Sequence, residues 1–162
     1  MSTSPDEFGL SGKDILAMQQ PTKGVRELLN LNQNEDLQKT ILNFFPHLEA
    51  IYLFGSQANG SAFAESDIDL AFVLATKPDP EIAYALKSAL SYLLRHDIDL
   101  VDFLRADTVT QAQIVAFGKI VWAKFPSKLA AMETTVFSKY ALLNEERRDI
   151  IADIIHRGAI RG

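Results

Sequence analysis

Between Phe54 and Leu70 the chain reads FGSQANGSAFAESDIDL. Gly55 and Ser56 close one apolar run, and Asp67-x-Asp69 opens the next. Side chains alternate along a strand, so Asp67 and Asp69 share a face. Two adjacent carboxylates repel, and holding them together is costly unless a cation lies between them. The chain has no cysteine and this stretch has no histidine. Oxygen donors alone suit a hard divalent cation, Mg2+ or Mn2+. Mg2+ is commonly held by one or two carboxylates together with substrate phosphates, so a phosphorylated ligand is the natural complement. The Gly-Ser pair offers it a place at a strand-to-helix turn. Glycine lets backbone approach an anion closely, the following amides attract negative charge, and the Ser56 hydroxyl adds a donor. There is no G-x-x-x-x-G-K-[ST] run, so this is not a P-loop.

A third carboxylate is expected from a neighbouring strand. Ile98 to Leu104 (IDLVDFL) offers Asp99 and Asp102, whose odd spacing sets them on opposite faces. Asp99 leads its strand as Asp67 and Asp69 lead theirs, and is placed with them. Asp102 is the alternative if a bulge shifts the register. Asp97 shares the face of Asp99 but precedes the strand. Ser66 caps or braces the turn before Asp67 and is grouped with Gly55 and Ser56 on the nucleotide side. His47, His96 and His156 are scattered and read as surface or packing residues, Lys119 as a solvated strand end, and Trp122 as core.

The elements that position these residues alternate. Leu37, Ile41, Phe44 and Phe45 have helical spacing up to Pro46. Strands are predicted at 51–54, 68–74, 98–104 and 119–123. A helix opens at Asp79-Pro80, with Asp79 as cap and Pro80 in the first helical position, and runs to Arg95. Another covers Thr108 to Phe117 and stops at Gly118. A long helix follows Pro126, from Met132 to about Arg157. Its stripe of Val136, Tyr140, Leu143, Ile150 and Ile154, widened by Phe137, Ile151 and Ile155, is read as intramolecular packing with room left for a partner. Alternating helices and strands predict an α/β layer fold around a small mixed sheet of about four strands, partly parallel, with a long C-terminal helix. Met1 to Leu10 is expected to fray, Ser11 to Leu31 to form two short helices broken by Pro21 and Gly24, and Asn32 to Asp36 to be a linker. The domain reading is an N-terminal extension over 1–35, a catalytic domain over 36–125 and a C-terminal helix over 126–162.

With 162 residues and 48% hydrophobic residues the chain can bury a real core, so wholesale disorder is excluded. The absence of cysteine excludes disulfides and thiolate zinc sites. A net charge of −5 argues against general nucleic-acid binding. No run nears the roughly 18 apolar residues of a membrane span, and the start lacks a signal-peptide pattern, so a cytoplasmic protein without membrane contact is expected. Asn59-Gly60-Ser61 matches a glycosylation sequon that such a location makes irrelevant.

Gly55-Ser56, the spacer, Asp67-x-Asp69 and an apolar strand carrying Asp99 together resemble the DNA polymerase β-type nucleotidyltransferase superfamily. More narrowly, IYLFGSQANGSAFAESDIDLAFVL, DIDLVDFLRA, QIVAFGKIVW and YALLNEERRDII resemble the small MNT antitoxins that pair with a HEPN-domain ribonuclease toxin. The resemblance runs from Leu37 to Ile155 and leaves the residues before about Asp36 unexplained. It implies the nucleotidyltransferase fold and transfer of AMP from ATP to a tyrosine hydroxyl of the toxin, in a hetero-oligomer. It implies two Mg2+ ions on Asp67, Asp69 and Asp99, with Asp99 also helping to deprotonate the acceptor, and a triphosphate held by Gly55 and Ser56. A non-catalytic antitoxin that neutralises by binding is the first alternative. A small-molecule nucleotidyltransferase is the second, disfavoured because the tail from Pro126 to Gly162 makes a poor substrate domain.

Overall fold

The computed structural model describes residues 20–59 and 66–161. The expectations for Met1 to Gln19, and the Gly60 and Ser61 of the sequon, lie outside them. In chain order the elements are α1 (Lys23–Leu29), α2 (Glu35–Phe44), β1 (Ala50–Phe54), α3 (Ser56–Asn59), β2 (Ile68–Val73), α4 (Pro80–Leu94), β3 (Ile98–Asp102), α5 (Thr108–Phe117), β4 (Lys119–Ala123) and α6 (Pro126–Arg161). The strands form one mixed sheet in the order β3-β2-β1-β4. β1 lies antiparallel to β2 and to β4, and β2 runs parallel to β3. A parallel pair needs a crossover, and α4 supplies it. The expected α/β class, the mixed sheet and the long C-terminal helix are all present.

Strand alternation divides the core in two. Ile51, Leu53, Ile68, Leu70, Phe72 and Ile98 face α1, α2 and α4 through Val25, Leu28, Leu37, Ile41, Leu86, Leu90 and Leu94. Ala50, Tyr52, Ala71 and Val73 face Phe103 of the 3-10 turn after β3 and, on α5 and α6, Ala112, Ile114, Leu129 and Val136. Tyr52 is almost fully buried. It stacks on Phe103 with ring centroids 5.5 Å apart, and its hydroxyl donates to Glu133 Oε1 at 2.6 Å. Burial, reinforced by the Glu133 carboxylate, pushes the phenol well above its ordinary pKa. This contact ties α6 to the sheet.

Local capping follows the sequence. Asp79 accepts from the Glu81 amide at 2.8 Å with Pro80 in the first turn, and Asp107 accepts from the Thr110 amide at 2.7 Å. Several expectations are corrected. The stretch Asn32 to Asp36 is not a linker: a 3-10 turn over Leu31–Gln33 leads to Asn34, which caps α2 by accepting from the Leu37 amide at 3.1 Å. The third strand ends at Asp102, because Arg105 turns back to donate to the carbonyls of Leu74 and Ala75, each at 2.6 Å. α6 begins at Pro126, since proline is well suited to a first helical position. Its stripe packs on the domain only in its first half. Val136 is buried, whereas Ile150, Ile151, Ile154 and Ile155 are exposed.

Gly24 does not break a helix but lies inside α1. A Cβ there would stand 2.4 Å from the Leu94 carbonyl oxygen, so this glycine lets α1 close onto the end of α4. In an open helix Gly→Ala gains about 1 kcal/mol. Here the sign reverses: Gly24→Ala is expected to lower stability by about 1–3 kcal/mol, the usual range for overpacking. Denaturant unfolding of both proteins measures it, and a stabilised variant would contradict the packing.

Candidate active site

The sheet brings the acidic residues to one end. Phe54 at the end of β1 pairs with Asp69, and Asp69 pairs with Asp99 across the parallel β2–β3 ladder. In-register neighbours point to the same face. Asp67 immediately precedes β2 and has the same parity as Asp69. The three carboxylates are close enough to act on one another. Burial raises the pKa of Asp69, the charges of Asp99 and Asp67 raise it further, and a hydrogen bond with Asp99 adds to the effect. Asp67 is exposed, and 57% of the Asp99 side-chain surface is open.

Asp102 lies in register with Phe72, three residues along β3 from Asp99 or about 10 Å away. It pairs with Arg105 Nη1 at 3.2 Å. Between the two acids of β3, the structure therefore puts Asp99 with the Asp67–Asp69 pair and gives Asp102 a bracing role at the other end. No bulge interrupts the β2–β3 register.

Gly55 follows β1 with φ +71°, and α3 starts at Ser56, giving the expected strand-to-helix turn. A Cβ on Gly55 would fall 2.3 Å from Asp69 Oδ2. The Asp69 carboxylate is thus seated against the Gly55 backbone, for which left-handed φ and the missing side chain are both needed. Ser66 is half-buried. The bracing bonds here run through its main-chain carbonyl, which accepts from Gln57 Nε2 at 2.9 Å and from His96 Nδ1 at 3.1 Å. Lys119 and His47 are exposed at strand and helix ends, and Trp122 is partly buried against the core, as the sequence suggests.

Three neighbours of the site escaped the sequence reading. Lys87 on α4 places Nζ 4.0 Å from Asp99 Oδ1, a solvated pair of small energetic weight. Gln57 and His96 clamp Ser66. Gln57 follows the Gly-Ser pair directly, and His96 sits in the turn that leads into the Asp99 strand. Those positions were the available signals.

The donors suit a hard cation. Three carboxylates with no thiolate or imidazole among them form an all-oxygen set, and the pKa of Asp69, raised first by burial and then by the charges of Asp99 and Asp67, marks a place where a cation would be favourable. Among the described residues no three acidic, histidine or cysteine groups already enclose a point at ligating distance.

A four-stranded mixed sheet with Gly-Ser at the end of one strand, Asp-x-Asp at the start of the next and a third acid in register defines a nucleotidyltransferase of the DNA polymerase β type. The chain belongs to that family: the family described as polymerase beta, nucleotidyltransferase, matches residues 26–126. The match begins within α1, ahead of the Leu37 boundary read from the sequence. The chain is 36% identical over 132 residues to the protein adenylyltransferase MntA of Shewanella oneidensis, covering 81% of this chain and 93% of that protein. It is also similar to a chain in the crystal structure of a toxin–antitoxin with AMP-PNP (TM-score 0.64, 34% identity, 75% of this chain and 97% of that one). A third likeness is to a chain in the complex of tri-AMPylated Shewanella oneidensis HEPN toxin with MNT antitoxin (TM-score 0.61, 33% identity, 78% and 98%).

Asp69 makes stability pH-dependent in a definite sense. Its folded pKa lies above the unfolded value, so the folded state binds the proton more tightly and stability falls as pH rises between the two. Asp69→Asn is therefore expected to raise the melting temperature of the metal-free protein at neutral pH. That gain shrinks as pH falls toward the ordinary carboxylate range, about 4. Melting curves across this interval test it, and a gain that grows on acidification would contradict the assignment.

Proposed function

We propose that the protein is an antitoxin that transfers AMP from ATP to a tyrosine hydroxyl of a cognate HEPN ribonuclease toxin, silencing it within a cytoplasmic hetero-oligomer. The observation that carries this reading is the register that sets Asp69 beside Asp99, with Asp67 on the same side and Gly55 against Asp69. Its family membership and its likeness to an adenylyltransferase and to antitoxin chains support it.

Asp67, Asp69 and Asp99 would hold Mg2+. Two such ions, when bound, would supply neutralisation of the carboxylates and of the triphosphate. Asp67 and Asp69 bridge the nucleotide end of the site. Gly55 and Ser56 hold the triphosphate through backbone amides and the Ser56 hydroxyl, and Ser66 lines the same side. Asp99, whose side chain is open to solvent, takes the proton as the tyrosine oxygen attacks the α-phosphorus. The bond from that phosphorus to the β-phosphate oxygen breaks, and pyrophosphate leaves. The protein's contribution is positioning and charge. Residues 36–125 form the transferase unit in this reading. The helix over 126–162 packs on it through Val136 and carries the toxin along the exposed Ile150, Ile151, Ile154 and Ile155.

The test mixes purified protein, labelled ATP, Mg2+ and the toxin encoded beside it. Label is expected on a toxin tyrosine. Asp67→Asn combined with Asp69→Asn is expected to lower transfer at least about a hundredfold, and Gly55→Ala to do the same by displacing Asp69. Neutralisation that survives the double change without ATP would replace transfer with simple masking of the toxin.

A further inference from the structure

The carbonyl of Ser66 belongs to the peptide plane that also contains the amide of Asp67. Fixing that carbonyl fixes the direction in which the chain leaves toward Asp67 and Asp69. Two donors aim at it, Gln57 Nε2 at 2.9 Å and His96 Nδ1 at 3.1 Å. A carbonyl oxygen has two lone pairs, so both are used. The donors come from different parts of the chain: Gln57 from the turn after the Gly-Ser pair, and His96 from the turn between α4 and β3.

His96 is itself held. A carbonyl can only accept, so Nδ1 carries the proton. In the neutral ring Nε2 then accepts from the Thr22 hydroxyl, whose oxygen lies 2.7 Å away. Thr22 is the N-cap of α1, and its Oγ1 accepts from the Val25 amide at 3.4 Å. The cap stays in place because Val25 and Leu28 are fully buried and Gly24 lies against the Leu94 carbonyl. The chain turns out of α4 through Arg95 at φ +56°, the one non-glycine residue with positive φ among the described residues. L residues rarely adopt such a conformation, and here it brings His96 round to face both Ser66 and Thr22. Beside it the Ile68 amide donates to the Asp97 carbonyl at 2.9 Å.

We infer that His96 is a positioning residue for adenylyl transfer, and that α1, through Thr22, is the anchor that keeps its imidazole aimed at the Ser66 carbonyl. The brace acts on Asp67 through the Ser66–Asp67 peptide and makes no contact with substrate. This inference rests on the proposed transferase reading. It also gives the N-terminal helix a part in the site.

The experiment compares His96→Ala, His96→Asn, Thr22→Val and Thr22→Ser in the full chain with the toxin. His96→Ala is expected to lower kcat about ten- to a hundredfold, the cost of a misplaced catalytic group, with KM for ATP changed little. His96→Asn keeps an N–H near the Nδ1 position and is expected to recover most of kcat. Thr22→Val should fall between wild type and His96→Ala, and Thr22→Ser should rescue it. Thermal melts give the folded fraction by which kcat is divided. The second readout is the backbone amide resonance of Asp67, observed without nucleotide or toxin. It should move and exchange faster in His96→Ala and return toward wild type in His96→Asn. An unmoved Asp67 amide, or a wild-type kcat per folded molecule in His96→Ala, overturns the brace. A wild-type protein that transfers no label overturns the transferase reading instead, and the Asp67 amide then decides the brace by itself.

Discussion

Like-charge repulsion at one end of a sheet is the constraint around which the structure is arranged. Asp67, Asp69 and Asp99 would separate if the chain allowed it, because adjacent carboxylates in a partly buried place destabilise one another. The ladder between β2 and β3 prevents this. Its five in-register pairs bring Asp69 and Asp99 side by side, and the backbone of both strands is committed to hydrogen bonds that neither can give up cheaply. Gly55 closes the remaining direction, with its Cα against the Asp69 carboxylate. The energetic cost of the site is therefore borne by burial elsewhere, chiefly by Leu53, Ile68, Leu70 and Ile98, which lie on the opposite face of the same strands and are almost fully buried.

That division explains the two-sided sheet. One face of β1 and β2 is covered by α1, α2 and α4, and the other by α5 and α6. Near the ends of β1, β2 and β3 the second cover stops, and the acids emerge there. Tyr52 marks the place where cover is still complete, two residues before Phe54, with its hydroxyl spent on Glu133 of α6.

α6 carries a second asymmetry. Its first half belongs to the core through Leu129 and Val136, and its second half presents isoleucines to solvent. Exposed isoleucine pairs spaced one helical turn apart form a narrow apolar stripe, of the kind usually covered by another surface. The acidic end of the sheet and this stripe are separate features of the chain.

The sequence by itself determined the local chemistry. Gly-Ser followed by Asp-x-Asp gave the site's nature, since alternation along a strand depends only on parity. Asp79-Pro80 and the helical spacing of Ile82, Leu86, Leu90 and Leu93 gave the crossover helix, because caps and periodicity are local, but the stripe it buries is Leu86, Leu90 and Leu94, with Ile82 and Leu93 exposed. Tertiary structure decided what depends on distant neighbours. Parity left Asp99 and Asp102 open, and only the parallel register with β2 separates them, by pairing Asp99 with Asp69 and Asp102 with Phe72. Gly24 reads as a helix breaker until the Leu94 carbonyl is found against it. The apolar stripe of α6 looks uniform in sequence, but the domain ends halfway along it. His96 and Thr22 are 74 positions apart, and no local pattern could pair them. Short-range preferences set the types of these groups, while long-range closure of the chain set which of them meet.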